Sequence, residues 1–191
     1  MALPRELPAL PPKPLGKWKL HRLYQKEPQI CFESSSITWD IPPAPTETWG
    51  YIYQEPKNFP ANYAWGLRFR KDTDFREFAF NFRYQDFDNR LRYRFEAQRL
   101  FFDKKILGFW FNNIASVSFP LELGRWYELR IENFRTFSRI SVDNLPLMEN
   151  VEADLTGGSI CIIVWEDNGR TPIKARVEQN NLYLVQEKPG L

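Results

Sequence analysis

Between Glu77 and Gln98 the chain alternates with a period of two. Phe78, Phe80, Phe82 and Tyr84 occupy every second position, and after a polar break Leu91, Tyr93 and Phe95 do the same. That period gathers the large side chains on one face of an extended backbone, whereas on a helix it would scatter them around the axis. The break, Gln85-Asp86-Phe87-Asp88-Asn89, is rich in turn formers. The segment therefore reads as a hairpin with one buried face, and a hairpin of that kind needs a second apolar layer to cover it.

The rest of the chain is punctuated in the same way. Strand candidates precede the hairpin at Trp18–Tyr24, Gln29–Glu33, Ser36–Trp39, Trp49–Gln54 and Ala64–Arg70. Others follow at Leu100–Phe102, Ile106–Phe111, Ala115–Phe119, Trp126–Glu132 and Phe137–Asp143, the last ending in the turn Asp143-Asn144-Leu145-Pro146. A loop then closes on Gly157-Gly158, and Ser159–Trp165, Ile173–Glu178 and Leu182–Gln186 complete the series. Ser159–Trp165 is apolar on both faces and is expected at the centre of a covered sheet. No segment carries a helical stripe over three turns. About a dozen short strands at regular spacing predict an all-β sandwich.

Aromatics reach 16 % of the 191 residues, which suits half-buried pleated surfaces. The net charge of +2 is too balanced for an electrostatic nucleic-acid binder. No run of 18 apolar residues predicts a membrane-spanning helix. The N-terminus has neither an apolar core nor a small-residue cleavage site of a secretion signal. If Met1 is the native start, a cytoplasmic or virion-associated protein is expected. Five of the fifteen prolines fall in the first fourteen residues. Residues 1–17 are read as an extended arm, either a disordered tail or a tether on a partner or second copy, and 18–191 as one domain. Cys31 and Cys161 are expected as two buried thiols, not a disulfide.

The elements Gly124-Arg125-Trp126-Tyr127, Val142-Asp143-Asn144, Gly158-Ser159-Ile160 and Asn180-Asn181-Leu182 resemble the second half of a concanavalin A-like (laminin G-like) jelly roll, and Phe78–Phe95 resembles its long concave-sheet hairpin. The resemblance covers roughly residues 60–186, and more loosely 18–60. It implies a concanavalin A-like β-sandwich, a fold used mostly by recognition modules and sometimes by glycoside-processing enzymes. The Glu-x-Asp-x-x-Glu strand of the laminarinase-type members has no counterpart here. Glu77 and Glu96 do not share that spacing, so hydrolysis by two facing carboxylates is unsupported.

Candidate site residues come from the hairpin's other face. Pairing Tyr84 with Leu91 and Phe82 with Tyr93 buries the aromatics and sets Arg83 beside Arg92 and Asn81 beside Arg94. Opposed arginines repel unless an anion lies between them. The ladder therefore reads either as a site for a sugar carboxylate, sulfate or phosphate, or as a face neutralised by carboxylates of a neighbouring strand. Arg68 and Arg70 are expected to extend it. Trp49 and Tyr51, with Tyr53, alternate on one strand, and Tyr63 and Trp65 follow a proline loop. Any exposed member would suit stacking on a sugar, while core packing is expected for most tryptophans, Trp126 and Trp165 among them. Asp86, Asp88 and Asn89, or Asp167 and Asn168, offer oxygen ligands for calcium, although turn chemistry explains both groups equally. His21 is the only histidine, and it is read as structural.

The leading expectation is a non-catalytic, lectin-like module binding a saccharide or anionic glycan through Asn81, Arg83, Arg92, Arg94, Trp49, Tyr51 and Trp65, with no obligatory cofactor. A structural or assembly protein using the jelly roll as scaffold is the alternative. A glycoside-processing enzyme is a third reading, which needs convergent acidic residues in a pocket.

Overall fold

The computed structural model describes residues 13–14, 18–22, 29–33, 36–54 and 61–184; at several strand positions, Trp49, Tyr51 and Tyr53 among them, it describes the backbone alone. The described residues form fifteen strands in two antiparallel sheets. One sheet has the order β13 (Leu145–Val151), β12 (Phe137–Val142), β11 (Trp126–Phe134), β6 (Tyr63–Lys71), β15 (Ile173–Leu184), β4 (Ser36–Ile41) and β3 (Gln29–Phe32), with β1 (Lys13–Pro14) also against β15. The other runs β10 (Phe109–Ser118), β9 (Arg99–Ile106), β8 (Arg90–Glu96), β7 (Glu77–Tyr84), β14 (Ser159–Glu166), β5 (Thr48–Gln54) and β2 (Trp18–Arg22).

The core lies between the sheets. Phe78, Phe80 and Phe82 of β7 and Leu91, Tyr93 and Phe95 of β8 meet Trp65, Leu67 and Phe69 of β6 and Tyr127, Leu129 and Ile131 of β11. Phe69 joins the layers, with ring centroids 5.4 Å from Phe78, 5.1 Å from Phe80, 5.3 Å from Phe95 and 5.5 Å from Tyr127. Each such buried ring contributes about 1.5–3 kcal/mol. β14 lies between β7 and β5, the central place its two apolar faces require.

The hairpin's face assignment holds from Phe78 to Phe82, but its register is displaced by two residues. Phe82 pairs with Leu91, Phe80 with Tyr93, Asn81 with Arg92 and Ala79 with Arg94. Beyond Phe82 the strand bulges. Between the pairs Asn81↔Cys161 and Tyr84↔Ser159, β7 has one residue more than β14, and Arg83 takes a left-handed φ of 47°. One extra residue inverts the alternation that follows it. Tyr84 therefore joins Ala79, Cys161 and Ile163 outside the main core, and Arg83 turns inward.

Other expectations need correction. Leu145–Val151 is a strand, not loop, because β13 is the last strand of its sheet, where a residue without an N–H such as Pro146 is tolerated. Ile173–Leu184 is one strand with an irregularity between Glu178 and Asn181. Trp126 and Trp165 are half-buried, not core. Cys161 is buried and Cys31 exposed, and neither is in a disulfide. Apart from Lys13 and Pro14, which pair with Leu182 and Asn181, the arm expected over 1–17 lies outside the described residues. No described helix is long and apolar enough to cross a membrane.

Candidate functional site

On the outer face of the seven-stranded sheet, strand alternation carries Arg90, Arg92, Arg94 and Glu96 on β8, with Phe101, Asp103 and Lys105 beside them on β9. Asp103 is fully buried and organises this face. Its Oδ2 accepts from Arg92 Nε at 2.8 Å and from Arg94 Nε at 2.6 Å, and its Oδ1 accepts from the Asn113 backbone N–H at 2.6 Å. Asn113 reaches it because β10 bulges between Phe111 and Ala115, and Asn113 has a φ of 57°, a conformation asparagine tolerates. Arg92 Nη1 donates to Glu77 Oε1 at 2.9 Å. Arg94 pairs also with Glu96 and with Asn113 Oδ1, and Arg76 with Glu96 and Asp167. The face is thus a lattice of alternating charge, and Glu77 and Asp103 are committed to holding guanidinium groups.

Aromatic rings flank the lattice. Trp110 lies 4.1 Å from Arg92 Cζ, Phe101 lies 4.2 Å from Arg94 Cζ, and Trp165 lies 4.8 Å from Arg76 Cζ. Cation–π contact of this kind fixes the planes of both partners. Arg92 and Arg94, with Trp110 on one side and Trp165 on the other, line an open depression of about 510 Å³. Trp110 is on β10 and Trp165 on β14, four strands apart, about 19 Å at the usual strand spacing.

Of the residues singled out from the sequence, Arg92 and Arg94 line this depression. Asn81 is on the same face but fully buried, its Nδ2 donating to the Cys161 carbonyl at 3.4 Å. Trp49, Tyr51 and Tyr53 are in register beside Trp165, Ile163 and Cys161, and their side chains lie outside the described residues. Trp65 does not reach the face; it is fully buried in the core, 6.0 Å edge-on to Phe80. Arg83 does not reach it either. Its guanidinium spans the end of the sandwich and donates to the carbonyls of Glu152 (3.0 Å), Leu155 (2.8 Å), Arg135 (2.5 Å) and Phe137 (3.1 Å). Burial pushes the pKa of Arg83 down, against the opposing pull of Tyr63, Tyr93 and Glu152. Arg68 and Arg70 belong to the opposite sheet, both 5.0 Å from the Trp126 ring.

The calcium candidates are occupied by turn chemistry. Asp86 accepts from the Asp88 N–H at 2.7 Å and from Asn89 Nδ2 at 3.0 Å, and Asp88 pairs with Lys105. Asn168 Oδ1 accepts from the Arg170 N–H at 2.8 Å. Among the described residues no three acidic, histidine or cysteine side chains gather as a metal site.

Sequence reasoning missed Asp103, Trp110 and Asn113. Asp103 lies on the same face as Phe101, one residue beyond the strand end expected at Phe102. The pair Asn112-Asn113 inside an aromatic run was the available signal for a bulge.

No protein-family model matches the chain, and no curated protein matches it. Solved structures do. The carbohydrate-binding module CBM66 from Bacillus subtilis superposes with a TM-score of 0.67 at 13 % identity, over 88 % of this chain and 96 % of that one. The exoplasmic/lumenal domain of VIP36, solved with Ca²⁺ and Man3GlcNAc, gives 0.67 at 11 % identity, over 94 % and 90 %. A native glycosidic hydrolase gives 0.66 at 14 % identity, over 90 % and 91 %. The fold is a concanavalin A-like jelly roll. At such identities the likeness is one of architecture, and a jelly roll of this kind hosts both binding and hydrolysis, so function has to be argued from the face itself.

Proposed function

We propose that this jelly roll is a saccharide-binding module whose site is the outer face of the seven-stranded sheet. The observation that carries the reading is the depression between Trp110 and Trp165, floored by arginines already locked in place by Asp103 and Glu77. A sugar ring offers apolar C–H faces to a tryptophan and hydroxyls to charged groups, and such a floor presents both without reordering. Arg92 uses Nε on Asp103 and Nη1 on Glu77, which leaves Nη2, without a described acceptor, to donate to a hydroxyl. The volume is within the range usual for small-molecule sites. Two of the architectural neighbours are by name a carbohydrate-binding module and a domain bound to Man3GlcNAc, which supports the same reading.

The test is a glycan-array screen of the intact chain, repeated with Trp110→Ala and Trp165→Ala after circular dichroism has shown both to be folded. Binding that weakens in both variants supports the reading. Binding that neither change weakens removes the site from this face, and no bound glycan at all ends the proposal.

A further inference from the structure

The three arginines that line the depression each have a carboxylate. Arg92 has Glu77 and Asp103, Arg94 has Asp103 and Glu96, and Arg76 has Glu96 and Asp167. Arg90 differs. It is 2 % exposed, forms no salt bridge with a described residue, and its buried Nε and Nη1 meet no hydrogen-bond acceptor. What holds it is a pair of rings, Phe87 at 4.5 Å and Trp110 at 4.9 Å from Cζ. Ring faces attract a cation but accept almost none of its five N–H bonds, and a guanidinium does not escape the cost by losing its proton. Its Cα partner is another cation, Lys105, whose single carboxylate contact is Asp88. Arg90 therefore has a cation as its neighbour and no described carboxylate in contact with it.

We propose that Arg90 is the anion-recognising group of this face, and that the preferred ligands are acidic saccharides carrying a uronic carboxylate or a sulfate ester. This rests on the saccharide reading and narrows its ligand class. The cover over Arg90 consists of side chains at the surface, Phe87 at 42 % and Trp110 at 36 % exposure, so a rotamer change opens it without moving a strand. Trp110 also lines the depression, and one ring thus joins the two features. A sugar stacked on Trp110 brings its acidic substituent to Arg90, whose fork matches a carboxylate or sulfate bidentately.

Calorimetry on the intact chain with two matched pairs tests this: tetragalacturonate against its full methyl ester, and galactose 6-sulfate against galactose. The acidic member is expected to bind more tightly by on the order of tenfold, with the gap closing in Arg90→Gln and affinity for the neutral member unchanged within about twofold. The first pair reports on carboxylate and the second on sulfate. Nitrogen-15 NMR of the Arg90 Nε–H in sodium sulfate, against sodium chloride at equal ionic strength, adds a readout that needs no variant. Equal affinity within both pairs overturns the assignment and leaves the saccharide reading intact. A preference that survives Arg90→Gln in a folded protein overturns Arg90 as its source. A sulfate-induced shift with no saccharide bound overturns the acidic-saccharide assignment and counts against the saccharide reading too. No shift and no binding overturn it as well.

Discussion

Arg92 donates through Nε to Asp103 Oδ2 at 2.8 Å, and Asp103, at 0 % exposure, holds Arg94 with the same oxygen. One buried carboxylate thus sets two guanidinium planes. Asp103→Asn keeps the shape and removes the charge, leaving the two arginines with Glu77 and Glu96 alone. A loss of about 3–5 kcal/mol is expected, as for removal of one partner from a buried ion pair. Urea denaturation checks it, and a loss below about 1 kcal/mol would mean that water already screens the pair.

Arg83 works at the end of the sandwich, where it gathers four carbonyl oxygens from the loops around Arg135–Phe137 and Glu152–Leu155. Arg83→Ala is expected to cost about 3–5 kcal/mol, because the four acceptors lose a charged donor together. Gly158 should be similarly intolerant. Its φ is +136°, and a Cβ there would come within 2.7 Å of the Arg83 carbonyl carbon and the Tyr84 carbonyl oxygen. Thermal melts of Arg83→Ala and Gly158→Ala are both predicted to fall well below the wild type. Loss of glycan binding in Arg83→Ala therefore reports unfolding, not a lost contact.

Two tryptophans separate fold from face. Trp65→Ala opens a cavity among core aromatics and is expected to cost about 3–5 kcal/mol. Trp110→Ala removes a surface ring and is expected to cost about 1 kcal/mol or less while weakening saccharide binding. Parallel urea titrations decide, and equal destabilisation by the two changes would remove Trp110 from the role of contact residue.

Tyr63 and Tyr93 are fully buried, and desolvation pushes both phenols up to about 12. Partial compensation comes from the Arg83 N–H on Tyr63, and from Ser138 and Asn150 on Tyr93. An unfolded tyrosine releases its proton near pH 10, so between about pH 10 and 12 the native state holds more protons than the unfolded one. Stability from these two groups is complete below about pH 10 and is lost as pH rises through 12, by up to about 3 kcal/mol each. Denaturation midpoints from about pH 9 upward should fall accordingly, with near-ultraviolet absorbance showing two tyrosines that ionise only as the protein unfolds. Free ionisation of all eight tyrosines near pH 10 in folded protein would contradict this.

The fold class was legible from residue order alone. Alternation in Phe78–Phe82 and Leu91–Phe95 named the buried face of both strands, and the doubly apolar Ser159–Trp165 named the central strand, because burial on one or two faces is written directly in a period of two. The turn Asp143-Asn144 was readable as well, its two left-handed residues being of the types that accept that backbone. Register and pairing across strands came from the packed molecule. The single extra residue at Arg83 leaves no compositional trace, yet it moves Arg83 off the face and turns Tyr84 outward, while a separate two-residue offset of the β7–β8 ladder pairs Asn81 with Arg92 instead of Arg94. Asp103 meets Arg92 and Arg94, and Trp110 meets Arg90 and Arg92, only because β8, β9 and β10 lie side by side, and a bulge in β10 aims Asn113 at Asp103. Alternation tells which way a side chain points, whereas its neighbour across the sheet depends on where two separate ladders lock, and that is fixed by bulges and packing far from either residue.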